Sequence, residues 1–133
     1  MRNKRSQKGA AMIEFALCFV LALSLLYGAM EFARIVYSRN ILSGATREAA
    51  RFAIVHGNRS GSPADQAAIR TQLTKWALGL DPAAIVVNAT WSPSNAPGNV
   101  VRVDASYTIT PFTRLIIGTP MTVASRSEMV ISQ

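Results

Sequence analysis

Residues 10–30, AAMIEFALCFVLALSLLYGAM, form an apolar run of 21 residues interrupted by one charge, Glu14. As a helix this run spans about 31 Å, close to the hydrocarbon thickness of a bilayer. A helix that is apolar on every side needs a core or a lipid phase around it. Arg2, Lys4, Arg5 and Lys8 precede the run with no acid among them, while Glu31 and Arg34 follow it. The positive-inside rule therefore predicts a single-pass protein with its N-terminus in the cytoplasm and the bulk of the chain across the membrane.

The remaining bulk properties fit this reading. A chain of 133 residues suits one small domain. Only 16% of the residues are charged, against about a quarter in ordinary soluble domains. The formal charge of +7 falls to +3 without the four basic residues before position 10. The other basic residues are scattered, whereas nucleic-acid binding calls for a concentrated basic face. No nucleic-acid partner is expected. Cys18 is the sole cysteine and His56 the sole histidine, so neither a disulfide within the chain nor a histidine metal cluster is expected.

Three readings of the N-terminus compete. A secretory signal would be removed after its apolar core, for example near Ala22-Leu23-Ser24, but the apolar run continues past that point. A plain signal anchor leaves Glu14 and Gly9 unexplained. The third reading is a short basic leader, residues 1–9, cut after Gly9 so that Ala10 becomes the N-terminus. Glu14 favours it. A carboxylate at the centre of a membrane helix costs about 2.5–3.5 kcal/mol, and such a residue is a functional candidate by default. One helical turn from a new N-terminus, Glu14 can neutralise the cationic α-amine of its own chain or of a neighbour. The first turn of a helix also favours negative charge.

The stretch Gly9-Ala10-Ala11-Met12-Ile13-Glu14-Phe15 resembles the prepilin motif of the tight-adherence (Tad/Flp) pilus system: Gly, four residues, Glu, then an aromatic. The resemblance continues through Glu31-Phe32-Ala33-Arg34 and through Ala45-Thr46-Arg47-Glu48-Ala49-Ala50-Arg51-Phe52-Ala53, which is similar to a segment of TadE-like pseudopilins. It implies a minor pilin or pseudopilin that a prepilin peptidase cleaves between Gly9 and Ala10. Its implied partners are the bilayer, other pilin and pseudopilin subunits and the inner-membrane platform of the system. Glu14 and Phe15 would act in assembly, and the function would lie in pilus biogenesis, adhesion and biofilm formation. Major pilins of that system lack a sizeable C-terminal domain, which this chain has. The alternative is an uncleaved single-pass protein whose outer domain binds a protein partner. A secreted binding module is a third reading.

Beyond the span, residues 31–133 are expected to form one extracytoplasmic, pilin-like α+β domain. No proline falls between Glu31 and His56, and Phe32, Ile35, Leu42, Ala45, Ala49, Phe52 and Ala53 recur at helical spacing. The helix should therefore run on to about residue 57, with Gly57 as its stop. Gly28 and Gly44 lie within it, either tolerated at up to about 1 kcal/mol each or, at Gly28, allowing close packing. Ser62, Pro63 and Asp65 predict the start of a second helix over about 63–80, with Ile69, Leu73, Trp76, Ala77 and Leu80 on its packed face. Period-two alternation predicts strands over about 84–91, 100–109 and 122–132 in a half-buried antiparallel sheet, covered by the long helix. Leu115, Ile116 and Ile117 read either as a core plug or as a subunit contact.

The chain carries no nucleophile–base signature, phosphate-binding glycine loop or metal-ligand spacing. Ser60 and Ser62 near His56 read as loop and cap chemistry. No enzymatic activity and no cofactor are expected.

Overall fold

The computed structural model describes residues 4–112 and 118–132, with residues 4–8 described by their backbone alone. Its elements are α1 (Lys4–Val55), α2 (Gln66–Trp76), a short 3-10 turn (Pro82–Ala84), β1 (Ile85–Ser92), β2 (Val100–Ile109) and β3 (Met121–Val130). This is the α+β arrangement that the sequence patterns predict. The chain divides into two compact units, Met1–Arg34 and Ile35–Gln133.

The first unit is helix alone. Every side chain from Gly9 to Tyr27 is exposed, including Met12, Phe15, Leu17, Leu21, Leu25 and Leu26. Phe32, expected on the packed stripe, is also exposed. The stripe begins later, in the second unit. There α1 buries Ser38, Leu42, Ala45, Thr46, Ala49, Ala50 and Ala53, a run of three- and four-residue steps along one helix face. Four of the seven are alanines, so a smooth helix face meets the sheet. The Thr46 hydroxyl donates to the Leu42 carbonyl at 2.7 Å, which satisfies the buried oxygen.

The sheet has the order β1-β2-β3, with both pairs antiparallel. Its packed face carries Ile85 and Ala89 from β1, Val101, Val103, Ala105 and Ile109 from β2, and Ser127 from β3, with Ile131 just beyond. All but Ile109 and Ser127 share one apolar cluster with the α1 stripe and with Ile69 and Leu73 of α2. Full burial of a Leu or Ile contributes about 1.5–3 kcal/mol, so Leu42, Ile69, Leu73 and Ile85 dominate this core. Backbone bonds fasten its ends. Ser132 N–H donates to the Ile54 carbonyl at 3.0 Å, Asn58 N–H to Asn95 at 2.8 Å, and Ala64 N–H to His56 at 2.7 Å.

Several local details differ from the sequence expectation. Helix α1 ends at Val55, before Gly57, and His56 Nδ1 bonds the Phe52 carbonyl at 2.8 Å, filling an acceptor that the helix end leaves open. Phe52 is half-buried and stacks on the His56 ring at 4.0 Å. Helix α2 is shorter than expected. The Ala64–His56 bond holds the preceding residues out of the helix, so Asp65 rather than Ser62 is the N-cap, accepting Ala68 N–H at 2.7 Å. Trp76 is largely exposed rather than packed, while Ala77 and Leu80 are buried in the turn that follows. Asp81 caps the 3-10 turn by accepting Ala83 N–H at 3.0 Å. A side chain added at Gly28 or Gly44 would meet nothing within 4 Å, so neither glycine serves close packing within the chain. Leu115, Ile116 and Ile117 lie outside the described residues.

Candidate membrane and assembly site

Of the N-terminal residues singled out from sequence, Lys4, Arg5, Lys8, Gly9, Ala10, Glu14 and Phe15 fall on α1, and Arg2 lies outside the described residues. The helix begins at Lys4 and passes through the Gly9–Ala10 bond without a break. Its first turn has no acid, and Lys4, Arg5 and Lys8 bring like charge to the positive end of the helix dipole. Gly9 adds a helix cost of about 1 kcal/mol relative to Ala. Nothing lies within 4 Å of a Cβ placed on Gly9. Glu14 follows Ala10 by four residues, or about 6 Å of helix rise, and its side chain is exposed. Phe15 stacks on Phe19, one turn on, with ring centroids 6.0 Å apart.

The exposed helix is apolar enough to cross a membrane, with a mean hydropathy of 2.2 over its most apolar 18-residue window. Its polar groups are few and managed locally. Ser24 Oγ donates to the Val20 carbonyl at 2.8 Å. Past the apolar run, Glu31 and Arg34 pair at 3.6 Å across one turn. In water so many large exposed apolar side chains would be a liability; in lipid or against other apolar helices they are the required surface.

The second unit turns a charged sheet face to solvent. Arg102 lies opposite Glu128 and Asp104 opposite Arg126 in the β2–β3 register, and both pairs are hydrogen-bonded at 2.5 Å. The hydrogen bond that Arg126 Nε donates to Asp104, then the negative charge of Asp104, hold the Arg126 pKa above its ordinary value. Beside this pair an open groove of about 410 Å³ is lined by Val86, Asn88, Ser106 and Ala124 among others. Strand β1 is guarded at its edge by α2: Gln66 Nε2 donates to the Val87 carbonyl at 2.7 Å, and Gln66 Oε1 accepts Ala89 N–H at 2.8 Å. The side-chain amide thus mimics a neighbouring strand. Sequence reading missed this clamp, because Gln at the start of a helix carries no distinctive signal. It also missed the ion pairs, although the opposed order of charges in Arg102/Asp104 and Arg126/Glu128 was there to be read once the strands were set antiparallel.

Ser60 and His56 make separate backbone bonds, Ser60 to the Gly57 carbonyl at 2.7 Å and His56 to that of Phe52. Among the described residues no group of three His, Cys, Asp or Glu is placed to hold a metal.

These features define a class: an α+β protein with, among the described residues, one helix long and apolar enough to cross a membrane. Residues 9–51, about a third of the chain, match the family model of the TadE-like proteins. Over this segment the chain is similar to TadE-like proteins. No curated protein and no solved structure matches the chain.

Proposed function

We propose that this chain is a membrane-anchored minor pilin, or pseudopilin, of a Tad-type pilus, acting in pilus biogenesis, adhesion and biofilm formation. Residues 10–30 hold it in the bacterial inner membrane, with the basic leader in the cytoplasm and residues 31–133 outside. A prepilin peptidase removes residues 1–9. Glu14 then meets the new α-amine of Ala10 or that of an adjacent subunit, and Phe15 and the surrounding apolar surface pack against neighbouring pilin helices. The inner-membrane platform draws the helix from lipid into the filament. The reading makes the chain a structural component rather than an enzyme.

The observation that carries this reading is the TadE-like match over residues 9–51, on a helix that has Gly9, Ala10 and Glu14 near its start and an exposed apolar surface beyond. Intact-mass measurement of protein extracted from native membranes tests it. Loss of residues 1–9 is expected. A full-length chain would instead support an uncleaved anchor with a partner-binding outer domain. Replacing Gly9 with Leu sharpens the test: open space at Gly9 means that the substitution leaves the fold alone. Processing should then stop, and unchanged processing would refute the proposed cut.

A further inference from the structure

The two edges of the sheet differ. On β1 the Gln66 side chain takes the outward Val87 carbonyl and Ala89 N–H. Just past β3, Ile131 N–H donates to the Asn99 carbonyl on the β2 side at 2.8 Å. The backbone groups of successive residues point to alternate sides of a strand. Those of Thr122, Ala124, Arg126, Glu128 and Val130 therefore point away from β2, and no described residue bonds them. The same alternation, carried through the register, turns Val87 and Ala89 outward on β1, as the Gln66 bonds require. Exposed edges are commonly blunted by proline, by a bulge or by charged side chains. Strand β3 has no proline or glycine and keeps an unbroken register with β2. Its two charges lean inward: Arg126 Nε donates to Asp104, and Glu128 Oε1 accepts from Arg102 Nε. The packed side is also unfinished here, with Val123 and Met129 only partly buried against the core.

We propose that β3 accepts an extended segment of an unlike protein chain as a fourth strand. Outward N–H and C=O groups that recur about every 6.8 Å are matched in full by another strand. Among the described residues, the Arg126 Nη groups and Glu128 Oε2 make no hydrogen bond. An antiparallel segment meets them with a base opposite Glu128 and, two residues later, an acid opposite Arg126. Apolar residues between and beside these charges cover Val123 and Met129. Strand β2 already presents this pattern to the other side of β3, in Val101-Arg102-Val103-Asp104-Ala105. A second copy does not supply the strand. Its β1 edge is closed by Gln66. Two β3 edges joined in parallel would turn their packed faces to opposite sides of the sheet. Joined antiparallel, they would point their α1 segments opposite ways, whereas copies anchored in one membrane stand the same way up. The inference rests on the anchoring reading for that last step alone.

The test uses the full chain in detergent and a synthetic peptide with the β2 sequence, VVRVDASYTI. Amide hydrogen exchange is followed residue by residue by NMR. The peptide in large excess should slow exchange at Ala124, Arg126 and Glu128 by about 2–12-fold, the equivalent of one net hydrogen bond each, and leave Ala89 unchanged. Exchanging the Arg and Asp of the peptide should remove most of that protection. Ala124→Pro, a substitution that an outward-facing edge N–H tolerates, should remove it too, while Val123, Ser125 and Ser127 stay protected by β2. Exchange that excess peptide leaves unchanged overturns the inference, as does protection that survives Ala124→Pro or the exchanged peptide. Protection of the same residues without peptide, growing with protein concentration, assigns the edge to a second copy and overturns it as well. The cut after Gly9, read by intact mass, is independent of each of these results.

Discussion

Helix α1 is one secondary-structure element built for two surroundings. Between Gly9 and Tyr27 it leaves every side chain exposed, and the exposed residues are large: Phe15, Phe19, Leu21, Leu25 and Leu26 among them. Between Ser38 and Ala53 it buries one face, and that face is small, with Ala45, Ala49, Ala50 and Ala53. Side-chain size follows the neighbour. Fluid lipid or a ring of other helices can wrap a bulky surface on all sides, whereas a flat sheet accepts a helix closely only where the helix is smooth. The same backbone therefore has two stability regimes. The second half is held by a core that water drives together; the first half gains nothing from that core.

The contrast can be broken by substitution. The largest expected effect is functional: Glu14→Ala should leave membrane insertion intact yet abolish or severely reduce incorporation into sheared pili. Normal piliation would remove Glu14 from any role in assembly. Next comes a matched pair. Leu73→Ala, in the core of the second unit, should destabilise that unit by about 2–5 kcal/mol. Leu21→Ala, on the exposed half of α1, should leave the same unfolding transition unmoved. Thermal unfolding of detergent-solubilised protein reads both, and equal shifts would mean that the two halves share one core. A smaller effect is expected at the β1 edge. Gln66→Ala removes two hydrogen bonds worth about 0.5–1.5 kcal/mol each, so Ala89 N–H should exchange with solvent faster; unchanged exchange would show that the clamp is idle. The smallest effect belongs to the solvent face, where a double-mutant cycle on Arg102 and Glu128 should give about 0.2–1 kcal/mol, falling with added salt. A coupling that salt leaves unchanged would mean that the pair is less solvated than its geometry indicates.

The folded unit was legible wherever a simple period governs. The alternation in Val101, Val103, Ala105 and Ile109 survives intact as the buried side of β2, and β1 keeps Ile85 and Ala89 inward. The start of α2 was misread because Ser62 and Pro63 make a locally good cap. What moved the cap to Asp65 is a bond from Ala64 to His56, a partner eight residues back that no local propensity encodes. Trp76 was misread for a related reason. It lies at the helical spacing of Ile69 and Leu73, but the helix ends there, and the turn buries Ala77 and Leu80 in its place.

By itself the sequence determined the apolar run, the four basic residues before it, the spacing of Gly9, Ala10 and Glu14, and the three alternating strands. Each depends on composition or on a period that the chain states directly. Tertiary structure alone decided which face of α1 meets the sheet, which acid caps α2, that Gln66 closes the β1 edge, and that Trp76 and Leu78 stay exposed. Those outcomes depend on groups brought together from distant parts of the chain, where a hydrogen bond or a buried methyl group outweighs a local preference worth only a fraction of a kcal/mol to about 1 kcal/mol.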